Sequence, residues 1–286
     1  MNNALRISII LPAKNEARGL AEILPRLRKA YQAAEIIVVN DGSTDNTIEV
    51  CASHHVKVIT HPYSMGNGAA IKSGARAAEG DILVFMDADG QHQPEDIAHL
   101  LEKLAEGYDM IVGARTKQSQ AGLPRAVANG FYNRLATWMV GQRVQDLTSG
   151  FRAVKAEKFR EFLYLLPNGF SYPTTITMSF FRAGYTIAYI PISSPKRLGK
   201  SHIRLLHDGM RFLLIILKVG TLYSPLKLFL PISLVFFLTG LGYYLYTYLA
   251  FGRLTNMSAL LFTTSTVIFL IGLVSEQITA LLYQRR

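Results

Sequence analysis

Three polar side chains that follow the apolar run "ILVFM" could together hold a metal ion. Asp87, Asp89 and Gln91 stand at every second position, and such side chains point the same way in an extended segment. Two carboxylates this close repel each other and lose hydration, so a positive charge must offset the cost. Oxygen donors suit Mg²⁺ or Mn²⁺. The spacing predicts a divalent metal site, with ordinary capping of the next helix as the alternative reading.

Short apolar runs rich in Val and Ile alternate with helix-like segments over the first 115 residues. Such runs are typical of strands that are buried on both faces. The predicted strands are Ile7–Pro12, Glu35–Asn40, Val56–Thr60, Ile82–Asp87 and Met110–Ala114. The predicted helices are roughly Arg18–Tyr31, Asp45–His54, Gly68–Ala78 and Pro94–Glu106. This alternation predicts an α/β fold with a mostly parallel sheet between helices.

Ligands bind such sheets at the carboxyl ends of the strands, and the predicted strand ends here are polar. "PAKNEA" offers the amide of Asn15 and the carboxylate of Glu16, and "NDGSTDNT" offers Asp41, which we expect to be free to accept hydrogen bonds from a ligand. "GNGAAIKSG" places backbone N–H groups and Lys72 where they could meet a phosphate. An ordinary loop-to-helix entry explains the glycines equally well.

Charge is distributed unevenly along the 286 residues, whose net charge is +10. Residues 1–109 carry 10 Lys and Arg against 15 Asp and Glu, whereas residues 110–227 carry 17 against 4. A basic middle region indicates nucleic acid, anionic lipid or a phosphorylated substrate as partner. No nucleic-acid-binding motif accompanies it, so nucleic acid is the least favoured of the three.

Two long apolar segments near the end of the chain predict a transmembrane hairpin. The first, 228–251, is uncharged and as a helix would reach about 36 Å, enough to cross a hydrocarbon core of about 30 Å. The second, 257–283, contains only Glu276 as a charge, for which function, snorkelling and a contact between helices all remain open. Basic residues flank the hairpin on the side of the N-terminal part. The positive-inside rule therefore predicts a multi-pass protein of the cell (inner or plasma) membrane, with its large N-terminal part in the cytoplasm.

The stretch before the hairpin mixes apolar residues with Arg204, His207, Arg211 and Lys218. This stretch is too charged to span a membrane and favours helices that lie in the membrane interface. The alternative is a helix that packs on the N-terminal domain. The expected organisation is a catalytic domain over 1–203, interfacial helices over 204–226 and two membrane helices over 227–286.

Four segments, taken together in this order and spacing, resemble a known family. "SIILPAKNEA", "VVNDGSTDNT", "GNGAAIKSG" and "VFMDADGQHQPEDI" are similar to the inverting family-2 glycosyltransferases of the glycosyltransferase A fold. The continuation "VGAR…LPRAVAN…VQDLTSGFRAV…KRLGKSH" resembles the polyprenyl-phosphate (dolichyl-phosphate) sugar synthase branch. The resemblance covers about residues 5–203.

The resemblance implies a role for each matching position. A nucleotide sugar, UDP- or GDP-hexose, would be held by Pro12, Ala13, Glu16, Asp41, Asp87 and Ala88. The polar strand ends add Asn15 and Lys72 to this predicted set. Mg²⁺ or Mn²⁺ would be bound by Asp87, Asp89 and Gln91. The acceptor phosphate would be held by Arg115, Arg125, Asn129, Lys196, Arg197, Lys200, Ser201 and His202. Asp89, Arg115 and Arg125 would be the catalytic residues.

The sequence departs from the family pattern in two places. Lys196 stands where an Arg is usual, and His202 where a later Lys is usual, although the basic character is kept. Thr174 and Thr175 stand where many relatives carry an acid, which leaves an acidic role there without a residue.

The implied reaction is direct attack by a lipid phosphate on the anomeric carbon, with inversion. A monophosphate is largely dianionic at neutral pH and needs no general base. A transferase acting on a sugar hydroxyl is the first alternative; it needs a base, for which Asp146 is the candidate, but the Q-x-x-R-W stretch of processive enzymes is absent. A non-catalytic nucleotide or lipid binder is the second. The sequence permits a homo-oligomer and identifies neither the sugar nor the lipid chain length.

Overall fold

A computed structural model of the chain describes residues 5–115, 123–169, 172–192 and 221–284, with the backbone alone described at 123–129 and 283–284. The chain divides into two compact units, Met1–Ile203 and Arg204–Arg286. Several predicted features lie outside the described residues. These are the side chains of Arg125 and Asn129, the segment with Lys196, Arg197, Lys200, Ser201 and His202, and the predicted interfacial helices up to residue 220.

The first unit is built on one seven-stranded sheet with the strand order β3-β2-β1-β4-β6-β5-β7. Its strands are β1 Ile7–Ala13, β2 Glu35–Asn40, β3 Lys57–Thr60, β4 Ile82–Phe85, β5 Met110–Arg115, β6 Arg152–Lys155 and β7 Ile187–Ile192. The β1–β2, β1–β4, β2–β3 and β5–β7 pairs are parallel. Strand β6 runs antiparallel to both β4 and β5. The predicted α/β fold with a mostly parallel sheet is confirmed.

Helices join the strands and cover the sheet. They are α1 Ala17–Ala30, α2 Thr47–Ser53, α3 Asn67–Ala77, α4 Asp96–Ala105, α5 Leu123–Val140, α6 Ala156–Arg160 and α7 Tyr172–Arg182. The side chains of Leu20, Ile23, Leu24 and Leu27 form one apolar stripe on α1, spaced three or four residues apart, and all are buried. They pack in the main core with strand residues such as Ile9 and Val38. Burial of this stripe fixes α1 against the sheet beside the end of β1.

A buried acid joins three elements at the amino edge of the sheet. The Asp109 carboxylate accepts hydrogen bonds from Lys155 Nζ at 2.9 Å, Lys158 Nζ at 2.8 Å and the backbone N–H of Thr186 at 3.0 Å. Burial alone would raise the pKa of Asp109, but these bonds outweigh burial and hold the pKa well below its usual range. The cluster ties the start of β5 to α6 and β7.

Replacing Asp109 with asparagine is expected to lower the free energy of unfolding by about 2 kcal/mol at pH 7, or a few degrees in Tm, because two lysines lose their anionic partner. Since the folded pKa is depressed, this stability is complete above the unfolded pKa and is lost as pH falls toward the folded pKa. Thermal unfolding of the full chain in detergent should show the full difference from pH 7 down to about pH 4 and a smaller one below about pH 4. Asp81→Asn, at an exposed pair with Arg6, is the control and should shift stability by less than about 0.5 kcal/mol. Equal effects of the two variants would contradict the prediction.

The second unit, over its described residues, is a hairpin of helices α8 Pro225–Phe251 and α9 Asn256–Gln284. Both contain a 27-residue stretch that is long and apolar enough to cross a membrane. Ser233 and Ser265 each donate a hydroxyl hydrogen bond to the other's backbone carbonyl, both at 2.9 Å. The predicted two-helix hairpin is confirmed as part of the fold.

Glu276, whose role the sequence leaves open, contacts the first helix of the hairpin. Its carboxylate accepts the backbone N–H of Leu226 at 3.2 Å. The first N–H groups of a helix have no partner within the helix, and a carboxylate at that end is favourable. Of function, snorkelling and a contact between helices, the structure therefore shows the last: Glu276 caps the N-terminus of α8.

Candidate functional site

A cleft of about 500 Å³ opens at the carboxyl edge of the sheet, where β1, β2 and β4 end. This volume is in the usual range for a small-molecule site. The cleft is lined by Pro12, Ala13, Lys14, Glu16, Asp41, Ser64, Gly66, Asn67, Ala70, Asp87, Ala88 and Asp89. The structure thus brings together most of the residues predicted to bind a nucleotide sugar, together with both predicted metal-binding carboxylates.

A close backbone contact fixes the position of the acidic loop after β4. A Cβ atom added to Gly19 would lie 2.1 Å from the carbonyl oxygen of Ala88, so only glycine lets α1 approach the loop so closely. The Asp89 carboxylate accepts the backbone N–H of Gln91 at 3.1 Å, which makes a tight turn. Asp87 and Asp89 therefore line the cleft from a loop that packs directly on α1.

His92, which has no signature of a site residue in the sequence, closes this acidic loop. The backbone N–H of Asp87 donates to His92 Nδ1 at 3.2 Å, and the buried ring stacks on Phe151 with centroids 4.8 Å apart. The Asp87 carboxylate lies 4.0 Å from the same nitrogen. The imidazole sets the conformation of the backbone that carries the first aspartate.

The opposite side of Asp87 is kept open by a glycine. A Cβ atom at Gly150 would stand 3.2 Å from both carboxylate oxygens of Asp87. Tyr172 fixes this glycine, since its hydroxyl donates to the Gly150 carbonyl at 3.2 Å. The side chain of Asp87 is 40% exposed. The space that a Cβ would fill leaves the Asp87 carboxylate room for a ligand or a cation.

The described residues contain no group of three or more His, Cys, Asp or Glu side chains that could hold a metal ion by themselves. The paired carboxylates of Asp87 and Asp89 nevertheless form the kind of oxygen donor set that Mg²⁺ or Mn²⁺ takes, usually completed by water and substrate phosphate. Gln91, the third predicted ligand, is a half-buried neighbour in the same turn. The donor set therefore fits a cation that is shared between the protein and a phosphorylated ligand.

Asp41 is more constrained than the sequence suggests. Its carboxylate accepts hydrogen bonds from His61 Nδ1 and Ser64 Oγ, both at 2.8 Å, and from the backbone N–H groups of Met65 at 2.7 Å and Gly66 at 2.9 Å. Burial opposes its charge, but the bonds from His61 and the loop outweigh burial and lower its pKa. The expectation that Asp41 is free for a ligand is wrong in this structure, because the loop after β3 occupies its oxygens.

Two other predicted nucleotide-binding residues make contacts away from the cleft. Asn15, with a φ of 58°, accepts the backbone N–H of Thr44 at 2.8 Å and so joins the end of β1 to the loop after β2. Lys72 Nζ donates to the Leu166 carbonyl at 3.1 Å and to Asn168. Asn67 and Ala70 line the cleft from α3, and the helical period places residue 72 on a different face. The structure thus corrects the expected contact of Lys72 with a phosphate.

Lys14 contributes a positive charge to the cleft that was not among the predicted site residues. It lies within "PAKNEA", between two predicted site residues, and its Nζ donates to Ser64 Oγ at 2.9 Å. Ser64 in turn donates to Asp41. The position of Lys14 within "PAKNEA" was the sequence signal that could have identified it as a site residue.

Arg115, a predicted acceptor-binding residue, lies at the end of β5 and is held by a buried acid. Its Nε and Nη2 donate to the two Asp146 oxygens at 2.8 and 3.0 Å, and Nη2 also donates to Thr148 Oγ1 at 2.6 Å. Burial alone would raise the pKa of Asp146, but the hydrogen bonds and charge of Arg115 outweigh it and lower the pKa. An engaged carboxylate with a lowered pKa is poorly suited to act as a general base.

Arg152 is a further buried cation beside the site, and in the sequence it is marked only by its place within "SGFRAV". It is fully buried and donates to the backbone carbonyls of Ser149 and Pro173. Its guanidinium also lies over the Tyr172 ring, 5.7 Å from the centroid. Arg152 therefore fixes the segment that presents Gly150 to Asp87.

Thr174 and Thr175, which replace the acid of many relatives, are buried in α7.

Fold and cleft together define an α/β domain that binds its ligand at the carboxyl edge of a mostly parallel sheet, beside paired carboxylates. The family model "Glycosyl transferase family 2" matches residues 8–163, and the model "GtrB C-terminal hairpin" matches residues 224–281. The chain belongs to glycosyl transferase family 2. The predicted family and the predicted class of enzyme, a glycosyltransferase, are confirmed.

Curated relatives extend the match over most of the chain. The undecaprenyl-phosphate mannosyltransferase of Micrococcus luteus is 32% identical over 215 residues, which cover 69% of this chain and 87% of the relative. Glycosyltransferase AglJ of Haloferax volcanii is 27% identical over 246 residues, which cover 84% and 80%. The predicted resemblance to the polyprenyl-phosphate branch is confirmed at the level of such relatives.

A solved structure shows the same fold. Glucosyl-3-phosphoglycerate synthase of Mycobacterium tuberculosis, crystallised with Mn²⁺, uridine diphosphate and glucosyl-3-phosphoglycerate, superposes with a TM-score of 0.61 at 21% identity. The match covers 76% of this chain and 79% of that one. At this identity the likeness shows the fold alone.

Proposed function

We propose that this glycosyltransferase moves a hexose from a nucleotide sugar to a polyprenyl phosphate, with inversion and with help from Mg²⁺ or Mn²⁺. The observation that carries the proposal is the cleft in which Asp87 and Asp89 lie beside the ends of β1 and β2, in a chain that also carries the apolar hairpin. The Micrococcus luteus relative, named for transfer to undecaprenyl phosphate, supports the acceptor class. The crystallised fold neighbour holds uridine diphosphate and Mn²⁺, which supports the donor class.

The residues of the cleft have separate roles in this proposal. Pro12, Ala13 and Glu16 would contact the nucleoside, while Asp41 shapes the wall formed by the loop after β3. Lys14 lies where it could attract the diphosphate. Asp87, Asp89 and Gln91 would hold the cation, which when bound neutralises the negative charge of the leaving nucleoside diphosphate. Arg115 would face the acceptor phosphate, together with Arg125, Asn129 and the basic segment 196–202.

The state of Asp146 favours a phosphate acceptor over a hydroxyl acceptor. A sugar hydroxyl needs a general base, and both oxygens of Asp146, the sequence candidate for that base, are engaged by Arg115. A lipid monophosphate is already a nucleophile at neutral pH. The arrangement therefore suits an acceptor that needs positive charge to hold it rather than a base to activate it.

We also propose the membrane topology that the sequence predicts. The two apolar helices would span the bilayer, the segment over 204–226 would lie in the interface, and the unit over 1–203 would face the cytoplasm. The lipid phosphate would then approach the catalytic unit from the membrane surface. This orientation is checked by tagging the end of the chain and treating sealed inverted vesicles with protease. The cytoplasmic side of such vesicles faces outward, so we expect the protease to reach the tag.

The experiment that tests the function is transfer from radiolabelled nucleotide sugars to a polyprenyl phosphate by the purified full chain. UDP- and GDP-hexoses are each supplied with Mg²⁺ or Mn²⁺. We expect label in a chloroform-extractable product that mild acid releases. Label in a product that stays in the aqueous phase would indicate a hydroxyl acceptor. No transfer from any donor, with nucleotide binding intact, would indicate a binding protein.

His92→Ala is expected to lower transfer about tenfold and to raise the Mn²⁺ concentration for half-maximal rate, because the backbone N–H of Asp87 loses its acceptor and the acid pair loses its fixed position. His92→Asn should restore much of both properties, since the asparagine oxygen can take the place of Nδ1. Initial rates over a Mn²⁺ series measure the effect. His99→Ala, at an exposed ring on α4, is the control. Wild-type metal dependence in His92→Ala would contradict the role of the ring.

A further inference from the structure

Two large aromatic side chains and an arginine lie together on one side of α5. Phe131 is 62% exposed and Trp138 is 47% exposed, and Arg134, also exposed, lies between them. At 3.6 residues per turn these three positions fall within about 60° of one another around the helix. We call Phe131, Arg134 and Trp138 the outer face of α5. The opposite face packs inward through buried side chains, which are Tyr132, Ala136 and Met139.

The sequence around this face carries only positive charge. Residues 110–145 contain five Lys and Arg side chains and no Asp or Glu. Single exposed aromatic residues are ordinary on protein surfaces, but here two of them and an arginine form one stripe in an acid-free segment. Tryptophan favours the boundary between water and lipid, and arginine can extend its charge to headgroups while its stem lies on apolar surface. This composition matches an anionic lipid surface.

Helix α5 is also joined to the segment that holds the candidate acceptor site. Asn133 Nδ2 donates to the Gln145 carbonyl at 2.6 Å, and Asn133 Oδ1 accepts the backbone N–H of Leu147 at 3.0 Å. The residues within and beside this segment, Asp146 and Thr148, bind Arg115. Helix α5 is therefore held beside the residues that bind Arg115 at the end of β5.

The same chain supplies a membrane tether. Its second unit carries two helices that are long and apolar enough to cross a bilayer. A unit tethered in this way meets the bilayer surface at high effective concentration, so a small docking face is sufficient. We propose that the outer face of α5 docks on the surface of an anionic bilayer and so orients the catalytic unit toward lipid. The proposal does not depend on which acceptor is used.

Trp138 is the single tryptophan of the chain, so intrinsic fluorescence reports on this face without a label. The full chain is reconstituted in vesicles of phosphatidylcholine and phosphatidylglycerol, either unmodified or brominated in the upper acyl chain. Docking predicts that brominated lipid quenches Trp138 about twofold, more strongly with phosphatidylglycerol than with phosphatidylcholine alone, and that iodide reaches it poorly. The variant with Phe131→Ser and Arg134→Ser, both at exposed positions, should lose most of the quenching while keeping the thermal stability of the parent.

A matched control moves the probe to the opposite edge of the sheet. The variant with Trp138→Phe and Leu5→Trp places the tryptophan just before β1, at a position that is 64% exposed, and brominated lipid should not quench it. Equal emission of Trp138 in brominated and unmodified vesicles would overturn the proposal. Protection of Trp138 from iodide without quenching by brominated lipid would also overturn the proposal, because a second copy of the chain would then cover the outer face of α5. Equal quenching of both probes would also overturn it.

Discussion

Asp89→Asn is expected to lower sugar transfer by at least about a thousandfold, or about 4 kcal/mol of transition-state stabilisation, while the thermal stability stays close to that of the parent. Asparagine keeps the oxygen that accepts the backbone N–H of Gln91, so the turn survives. It removes the negative charge that faces the cleft. The substitution therefore separates the charge of Asp89 from its part in the turn. Initial rates with saturating donor and lipid phosphate measure the loss, and Asp89→Ala should be no more active.

Glu95→Ala provides the control for Asp89→Asn. Glu95 follows the same loop but pairs with Arg26 at the surface, where its side chain is 63% exposed. Loss of such a pair costs less than about 1 kcal/mol and leaves the cleft unchanged. Transfer by Glu95→Ala should be within about twofold of the parent. Substantial transfer by Asp89→Asn would show that the paired carboxylates do not carry the reaction.

Arg115→Ala is expected to have the second largest effect, on activity and stability together. It removes a cation proposed to face the acceptor phosphate, so the apparent KM for lipid phosphate should rise at least about tenfold. It also leaves the Asp146 carboxylate buried without its partner, which should cost about 3 kcal/mol of unfolding free energy. Rates over a lipid phosphate series and thermal unfolding of the full chain measure the two effects.

The double variant Arg115→Ala with Asp146→Ala separates these effects. Removing both charges relieves the unpaired carboxylate, so stability should recover relative to Arg115→Ala alone. The KM for lipid phosphate should not recover, because the cation is still missing. Recovery of both would mean that Arg115 acts only through folding. Since the pKa of Asp146 is lowered, the parent should keep the stability of this pair from neutral pH down to about pH 4 and lose it below.

The first five strands and first four helices follow from the sequence because their signals are local. Runs such as "ISIILP" and "EIIVVN" are apolar throughout, as strands buried on both faces must be. Strands β6 and β7 were not predicted, and for β6 the reason is physical. "RAVK" is short and carries a charge at each end, and its place between β4 and β5 depends on long-range antiparallel pairing rather than on a local pattern.

The candidate site was predictable in its location but not in its hydrogen bonds. Parallel strands bring their carboxyl ends to one edge, which is why Asp41 and Asp87 could be placed together from the sequence. Whether a carboxylate is free depends on loops that pack from elsewhere. The loop that ends in Gly66 donates hydrogen bonds to the Asp41 carboxylate. The segment after α6 accepts a hydrogen bond from the Lys72 ammonium. Neither contact has a signature within its own stretch.

His92 and Gly150 illustrate the same limit. The histidine comes directly after Gln91 in the chain, but its value to the site comes from a backbone bond to Asp87 and from a stack on Phe151, a residue far away in sequence. Gly150 matters because a side chain there would meet the oxygens of Asp87. Both residues fix the geometry of the acid pair without resembling site residues in the sequence.

Binding of Mn²⁺ followed by electron paramagnetic resonance is the measurement that most directly tests the central claim, that Asp87 and Asp89 hold a cation together with a nucleoside diphosphate. The full chain in detergent is titrated with Mn²⁺ in the presence and absence of UDP or GDP. Because a nucleoside diphosphate chelates Mn²⁺ by itself, each loss of free Mn²⁺ signal is compared with the loss in a protein-free solution of the same nucleotide. We expect the parent to remove Mn²⁺ beyond that loss only when UDP or GDP is present, and Asp89→Asn to abolish this excess. An equal excess in Asp89→Asn, or no nucleotide-dependent excess in the parent, would contradict the claim.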